Sequence, residues 1–89
     1  MRAINLQGQQ IQLPTTSGTA ITVGDAQLVR VSHVSDTGYQ TIYVQNAAGT
    51  NTSSISLTAT ESVYINKDPG DKIWASDASG FVSRVVFVY

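Results

Sequence analysis

The chain has 89 residues, a net charge of −1, only 12% charged residues and no cysteine. This length predicts one small domain, and the missing thiols exclude disulfides and thiolate metal sites. Without a basic patch to neutralise phosphates, binding of nucleic acid is not expected. Thr, Ser, Gln and Asn make up 31 of the 89 residues. Such a low-charge surface is weakly protected against association, which suits a protein that other subunits partly cover.

The N-terminal segment, residues 1–27, differs in pattern from the rest of the chain. Its first part, "MRAINLQGQQIQLP", is rich in glutamine and carries two alternating apolar pairs, Ile4 with Leu6 and Ile11 with Leu13. We expect an arm or edge hairpin that contacts other subunits, and an ordinary hairpin of the same domain is the alternative. The segment lacks the apolar region of a signal peptide, and no run approaches a transmembrane span. We therefore expect synthesis in a cytoplasm and no membrane partner.

Residues 28–89 show the alternation of apolar and polar residues that is typical of half-buried strands. Turn residues separate these runs at intervals of about 8–12 residues, the spacing found in sandwiches and barrels, and such short connections favour antiparallel neighbours. We predict an all-β fold, a single antiparallel β-sandwich or jelly-roll-like barrel with six to eight strands and residues 28–89 as its core. The clearest runs are "LVRVSH" (28–33), "QTIYVQN" (40–46), "SISLTA" (54–59) and "SVYIN" (62–66).

The last run, "FVSRVVFVY" (81–89), is apolar at both parities. It is either a central strand that its own domain covers on both faces, or a strand whose second face is covered by another subunit or partner. If that face is bare, it is an aggregation hazard.

Candidate catalytic and metal-binding residues are few. His33 is the only histidine, and the alternation places it at the end of an inward face, which favours a structural role over that of a catalytic base. The aspartates fall in predicted turns, where carboxylates bind nearby backbone N–H groups, and "KDPGDK" (67–72) lacks the ligand spacing of a calcium loop. We predict no catalytic residue, no cofactor and no metal, and hence a protein that is not an enzyme.

Within the stretch "ESVYINKDPGDKIWAS" (61–76), residues 67–72 hold four of the eleven charged residues, and the stretch also holds the only tryptophan. A tight Pro-Gly hairpin, a three-residue loop at 68–70 and a wider corner between two sheets are all open. Each option places Lys67 and its charged neighbours at a solvated turn. The tight hairpin would pair Ile65 with Trp74, whereas the three-residue loop keeps Ile65 and Ile73 together on the core face. Trp74 has the opposite parity from Ile73, so it lies either outside the main core or at a contact with a neighbour.

From "LVRVSH" onward the chain resembles the small all-β virion proteins of tailed bacteriophages. The resemblance is carried by "VRV" (29–31), "VQNAAG" (44–49), the stretch 61–76 and "SRVVFVY" (83–89), and it does not extend to residues 1–27. It implies a protein that decorates a capsid or tail. The positions that match the long motif are Glu61, Val63, Ile65, Lys67, Pro69, Asp71, Ile73, Ala75 and Ser76.

These observations predict a non-enzymatic structural protein of a phage virion, assembled in the host cytoplasm, that decorates or cements a capsid or tail lattice through oligomeric β-sheet contacts. The expected partners are other copies of the chain, in a small oligomer such as a trimer, and the major capsid or tail protein. The alternative is a carbohydrate- or receptor-binding module of a fibre or adhesin, with Trp74, Tyr39, Tyr43 and Tyr64 as the stacking candidates. The predicted interface residues are Ile4, Leu6, Ile11, Leu13, Trp74, Phe87 and Tyr89.

Overall fold

The structure, a computed structural model, describes residues 3–88. Eight strands and one turn of 3₁₀ helix, Ser17–Thr19, lie in this range. The strands are β1 (Ala3–Leu6), β2 (Ile11–Gln12), β3 (Leu28–His33), β4 (Tyr39–Gln45), β5 (Thr52–Thr58), β6 (Ser62–Asn66), β7 (Lys72–Ala75) and β8 (Gly80–Val88).

Two antiparallel sheets pack face to face. The five-stranded sheet has the order β1-β8-β3-β6, with β2 also paired to β8, and the three-stranded sheet has the order β5-β4-β7. The predicted all-β antiparallel sandwich is confirmed, with eight strands at the upper end of the predicted number. Both sheets end in edge strands, so the sandwich form of the prediction holds rather than the closed barrel.

The core lies between the sheets and follows the predicted parity. Val29 and Val31 of β3 face Ile42 of β4 and Ile73 of β7, and all four side chains are fully buried. Strand alternation puts every second side chain on this inner face, which explains why single apolar residues are spaced two apart in the sequence. Each fully buried aliphatic side chain contributes about 1.5–3 kcal/mol relative to exposure.

The first described part of the N-terminal segment, residues 3–12, belongs to the five-stranded sheet, and its two strands do not form a hairpin. Strands β1 and β2 pair with β8, not with each other. Ile4 lies opposite Phe87, whereas Ile11 lies opposite Val82, so the N-terminal segment has two more residues than β8 between these pairs. These residues form a bulge that interrupts the edge of the sheet. Within residues 3–12, β1 and β2 therefore form an interrupted edge strand in place of a hairpin, and the contact of residues 1–27 with other subunits stays a prediction.

The stretch 61–76 turns a corner from one sheet to the other. Strand β6 pairs with β3 in the five-stranded sheet, and β7 pairs with β4 in the three-stranded sheet. The Asp71 N–H donates to the Asp68 carbonyl at 2.9 Å, and the Asp68 N–H donates to an Asp71 carboxylate oxygen at 3.1 Å. Of the three options for this stretch, the wide corner is the one that forms, and Ile65 and Ile73 reach the core from opposite sheets.

Candidate functional site

The end of the five-stranded sheet forms a two-stranded ribbon that extends beyond its neighbour. Strand β8 pairs with β3 only over Gly80–Arg84, whereas its last residues pair with β1. We call the paired segments Ala3–Leu6 and Val85–Val88 the β1–β8 ribbon. The Gln7 N–H donates to the Arg84 carbonyl at 2.9 Å, so Gln7 and Arg84 form a hydrogen-bonded pair. Hydrogen-bonded and non-hydrogen-bonded pairs alternate along antiparallel strands, and the backbone groups of Ile4 and Leu6 therefore point away from β8. Within residues 3–88, the ribbon therefore presents a strand edge with no neighbouring strand.

The outer face of the ribbon is apolar. Ile4 and Leu6 lie opposite Phe87 and Val85 on this face, and Leu6 is 71% exposed. Val85 is buried, and the ring of Phe87 contacts Tyr64 with ring centroids 5.0 Å apart. Tyr64 is itself 44% exposed, so the apolar surface continues from the edge across the sheet. Exposed apolar side chains that lie together, rather than singly, mark an interaction surface.

The other face of the ribbon adds a second apolar element. Val86 has the parity of the buried Val82, but it lies beyond the part of β8 that pairs with β3 and is 42% exposed. Ile11 lies opposite the buried Val82 on the outermost strand of the sheet and is 43% exposed. The sequence pattern indicated that both faces of β8 are apolar, because the run 81–89 is apolar at both parities. It could not indicate which positions are covered, since that depends on how far each sheet extends.

An open cleft of about 630 Å³ lies beside the ribbon, between the bulge at Gln7 and the loop at Val23. The guanidinium of Arg84 lines it, together with Ile11 and Ile21. Three successive residues of the loop, Val23 to Asp25, have φ of 57°, 64° and 59°. This left-handed conformation is unfavourable for β-branched valine, so the wall of the cleft holds local strain.

Two of the predicted interface residues are packed within the domain itself. Leu13 is 2% exposed and belongs to the core cluster, and its N–H donates to the Gly80 carbonyl at 2.7 Å. Trp74 is 9% exposed and stacks on Tyr43, with ring centroids 5.1 Å apart and planes 16° apart. Both predictions are corrected: these side chains stabilise the fold and are not available at the surface. Tyr89 lies outside the described residues.

Lys67 is buried, in contrast to the prediction that its charge lies at a solvated turn. Its side chain has the inward parity of Ile65 and is 6% exposed, and its Nζ donates to the Thr22 carbonyl at 2.8 Å. Burial lowers the pKa of this ammonium below its ordinary value, although the carboxylates of Asp71, Asp25 and Asp68 act in the opposite direction. The prediction of solvated charges is correct for Asp68 and Lys72, which are exposed, and wrong for Lys67.

The candidate chemical groups occupy structural positions. His33 is 2% exposed, and its Nδ1 lies 3.1 Å from the Thr58 carbonyl and 3.3 Å from the Leu57 carbonyl, so Nδ1 carries the proton. Within residues 3–88 no group of three or more His, Asp or Glu side chains could hold a metal ion. The same residues include no helix long and apolar enough to cross a membrane.

The aromatic residues do not converge on one sugar-binding platform. The Tyr43–Trp74 pair lies on the outer face of the three-stranded sheet, whereas Tyr64 and Phe87 lie on the outer face of the other sheet. Tyr39, which is 72% exposed, is at the start of β4. Stacking on a glycan requires a ring face open to the ligand, and the rings of Trp74 and Tyr43 stack on each other.

Comparison with known proteins identifies no relative: no family model, no curated protein and no solved structure matches the chain.

Proposed function

We propose that this chain is a non-enzymatic structural protein of a phage virion that decorates or cements a capsid or tail lattice. The β1–β8 ribbon is the surface that docks on the major capsid or tail protein. Other copies of the chain are its second kind of partner, and the virion is its location after assembly in the host cytoplasm.

The observation that carries the proposal is the exposed, apolar ribbon with its free edge. Leu6 is 71% exposed next to the backbone groups that point away from β8, so one strand of a partner could bind both the backbone and the side chain. Strand addition of this kind gains affinity from main-chain hydrogen bonds and specificity from side-chain pockets. The low content of charge, 12%, leaves few groups that would need desolvation in such a contact.

The resemblance of residues 28–89 to phage virion proteins gives the proposal its biological setting. The buried position of His33 also favours a role without catalysis, because its Nδ1 is occupied by main-chain carbonyls. A decoration protein does not need tight individual contacts, since many copies on a lattice bind with avidity.

The test is occupancy on purified particles of the source virus, by mass spectrometry and by electron microscopy of the particle surface. Leu6→Asn should reduce binding to particles roughly 10- to 100-fold, because burying one leucine is worth about 1.5–3 kcal/mol and each 1.4 kcal/mol is tenfold. Val34→Asn is the matched control, since Val34 is 53% exposed but lies outside the ribbon. Absence of the protein from particles would refute the virion role, and equal loss with both variants would refute the ribbon as the docking surface.

A further inference from the structure

The sheet edges of this sandwich differ in how they are protected from strand pairing. The bulge limits the open β1–β2 edge to the four residues of β1, and the β7 edge is covered, because the Ala75 N–H donates to the Pro14 carbonyl and Ile21 bonds with Ile73. The β6 edge has only five residues, and the guanidinium of Arg30 on the neighbouring strand donates to the Ser62 hydroxyl on it at 3.3 Å. Bulges, charges and covering segments are the usual means of blocking such edges.

Strand β5 has none of this protection along its length. It runs for seven residues, "TSSISLT", without a charge, a proline or a bulge. Six of the seven residues are exposed. Among residues 3–88 it is the longest edge strand, and no segment covers it.

The hydrogen-bond alternation shows which of its backbone groups are free. The Asn46 N–H donates to the Asn51 carbonyl at 3.0 Å, which fixes the odd-numbered residues of β5 as those bonded to β4. The N–H and C=O groups of Thr52, Ser54 and Ser56 consequently point away from the sheet, and no partner for them lies within the described residues.

Thr58 is the next residue whose backbone groups point outward, and these groups already have hydrogen-bond partners. Its N–H donates to the Glu61 carboxylate at 2.9 Å, and its carbonyl accepts the Glu61 N–H at 3.1 Å. Glu61 therefore closes one end of the edge, and the free part is limited to three outward residues with Ser54 at the centre.

Taking the self-association of the proposed function as its premise, we propose that a second copy of this chain pairs its β5 with this edge, antiparallel, about a two-fold axis at Ser54. In this register Ser54 lies opposite Ser54 of the second copy, and Thr52 lies opposite Ser56. Each free N–H and C=O then has a partner on the other strand. An axis at Ile55 would instead place Thr52 opposite Thr58, whose groups Glu61 already holds.

The side chains fit the same register. On the outer face, hydroxyl groups lie opposite hydroxyl groups, with no like charges to repel. On the inner face Ile55 has the parity of the buried Leu57 and lies opposite Ile42, yet it is 45% exposed at the mouth of an opening of about 310 Å³. The second copy would place its own Ser53 opposite Ile55 and cover that opening. Because one edge pairs with itself, the assembly closes as a dimer, not as the trimer that the sequence suggested.

Size-exclusion chromatography with light scattering tests the dimer on the purified full chain over a dilution series. The wild type should show twice the 9.5 kDa of one chain. Ser54→Pro should show a single chain with unchanged far-UV circular dichroism, because the N–H it removes is not bonded within the sheet. Ser54→Lys, which would set two like charges opposite each other, should do the same by a different mechanism, and Ser54→Thr should remain dimeric.

Two further measurements test the register. Ser54→Cys should form an intermolecular disulfide under mild oxidation, since Cα atoms of a hydrogen-bonded pair are about 5.5 Å apart and the chain has no other cysteine. Thr16→Cys is the control, because position 16 is exposed but lies outside β5, and it should crosslink more slowly. Amide exchange should show Thr52, Ser54 and Ser56 protected in the wild type and unprotected in Ser54→Pro.

A monomeric wild type would overturn the proposal, as would a dimer that Ser54→Pro and Ser54→Lys leave intact, or equal crosslinking at positions 54 and 16. These results are independent of the particle experiment. A β5 dimer that never binds particles would refute the virion role and leave this interface standing, and a particle-bound monomer would do the reverse.

Discussion

Replacing Trp74 by alanine tests whether its ring stabilises the fold or binds a ligand. Trp74 lies on the outer face of the three-stranded sheet, away from the central cluster, yet it is only 9% exposed. The 3₁₀ turn at Ser17–Thr19 packs against β7, and the Tyr43 ring stacks on the indole with centroids 5.1 Å apart. The burial of the ring therefore comes from its own domain.

The size of the effect follows from that burial. Deleting a large aromatic side chain from a packed site costs about 3–5 kcal/mol, and the ring pair accounts for about 0.5–1.5 kcal/mol of it. We expect about 3 kcal/mol for Trp74→Ala, because the site is at a sheet surface where neighbours can partly relax. A domain of this size has roughly 4–13 kcal/mol of total stability. The midpoint of thermal unfolding should fall by about 12–24 °C.

Urea unfolding followed by far-UV circular dichroism measures this change, since the tryptophan itself cannot report on its own deletion. Tyr39→Ala is the control, because Tyr39 is 72% exposed and its loss should change stability by about 0.5 kcal/mol or less. A double-mutant cycle with Tyr43→Ala should return a coupling of about 0.5–1.5 kcal/mol. An unchanged midpoint for Trp74→Ala, together with loss of specific binding on a glycan array, would refute the structural role and support the carbohydrate-binding alternative.

Lys67→Met should change the pH dependence of stability. Burial lowers the pKa of this ammonium in the folded state below the ordinary 10.5, so the unfolded chain binds the proton more tightly. The stability of the wild type relative to Lys67→Met should therefore rise as the pH approaches 10.5. Urea-unfolding midpoints that change in parallel across that pH range would contradict this. Thr60→Asn should stabilise the domain by up to about 1 kcal/mol, because exposed Thr60 has φ of 62°, which asparagine adopts more easily than a β-branched residue. Thr15→Asn at an exposed position without that conformation is the control, and equal midpoints for the two variants would show that no strain is relieved.

The strands and their core faces could be predicted from the sequence, but the pairing of β6 and β7 could not. Same-parity residues such as Ile65 and Ile73 face the core whether their strands are neighbours in one sheet or lie in opposite sheets. Alternation therefore gives the same pattern for a hairpin and for the corner that forms. The distinction depends on β3 and β4, which pair with β6 and β7 from distant parts of the chain.

The sequence could not predict whether a side chain is buried where the group that covers it is distant along the chain. Lys67 belongs to a run of charges that predicts exposure to solvent, but the carbonyl that accepts its hydrogen bond belongs to Thr22, 45 residues away. Trp74 was correctly assigned to the outer parity, and its burial depends on segments that precede it by more than 50 residues. Ile55 shows the reverse, an inward residue that stays exposed because β5 is an edge.

The two proposed interfaces lie on opposite sides of the sandwich, and this arrangement makes them compatible. Strand β5 lies above β3, since the His33 Nδ1 of β3 approaches the Thr58 carbonyl of β5, whereas the ribbon consists of β1 and the end of β8 at the other end of the strand order. A dimer joined at β5 would therefore carry its two ribbons at its two far ends. Each ribbon could then contact a different subunit of a lattice, so that one dimer bridges neighbouring subunits. With two linked contacts, the binding of a dimer to particles should exceed that of a single copy by far more than twofold. Under this geometry Ser54→Pro, which leaves the ribbon intact, should weaken binding to particles while keeping the contact that Leu6→Asn removes.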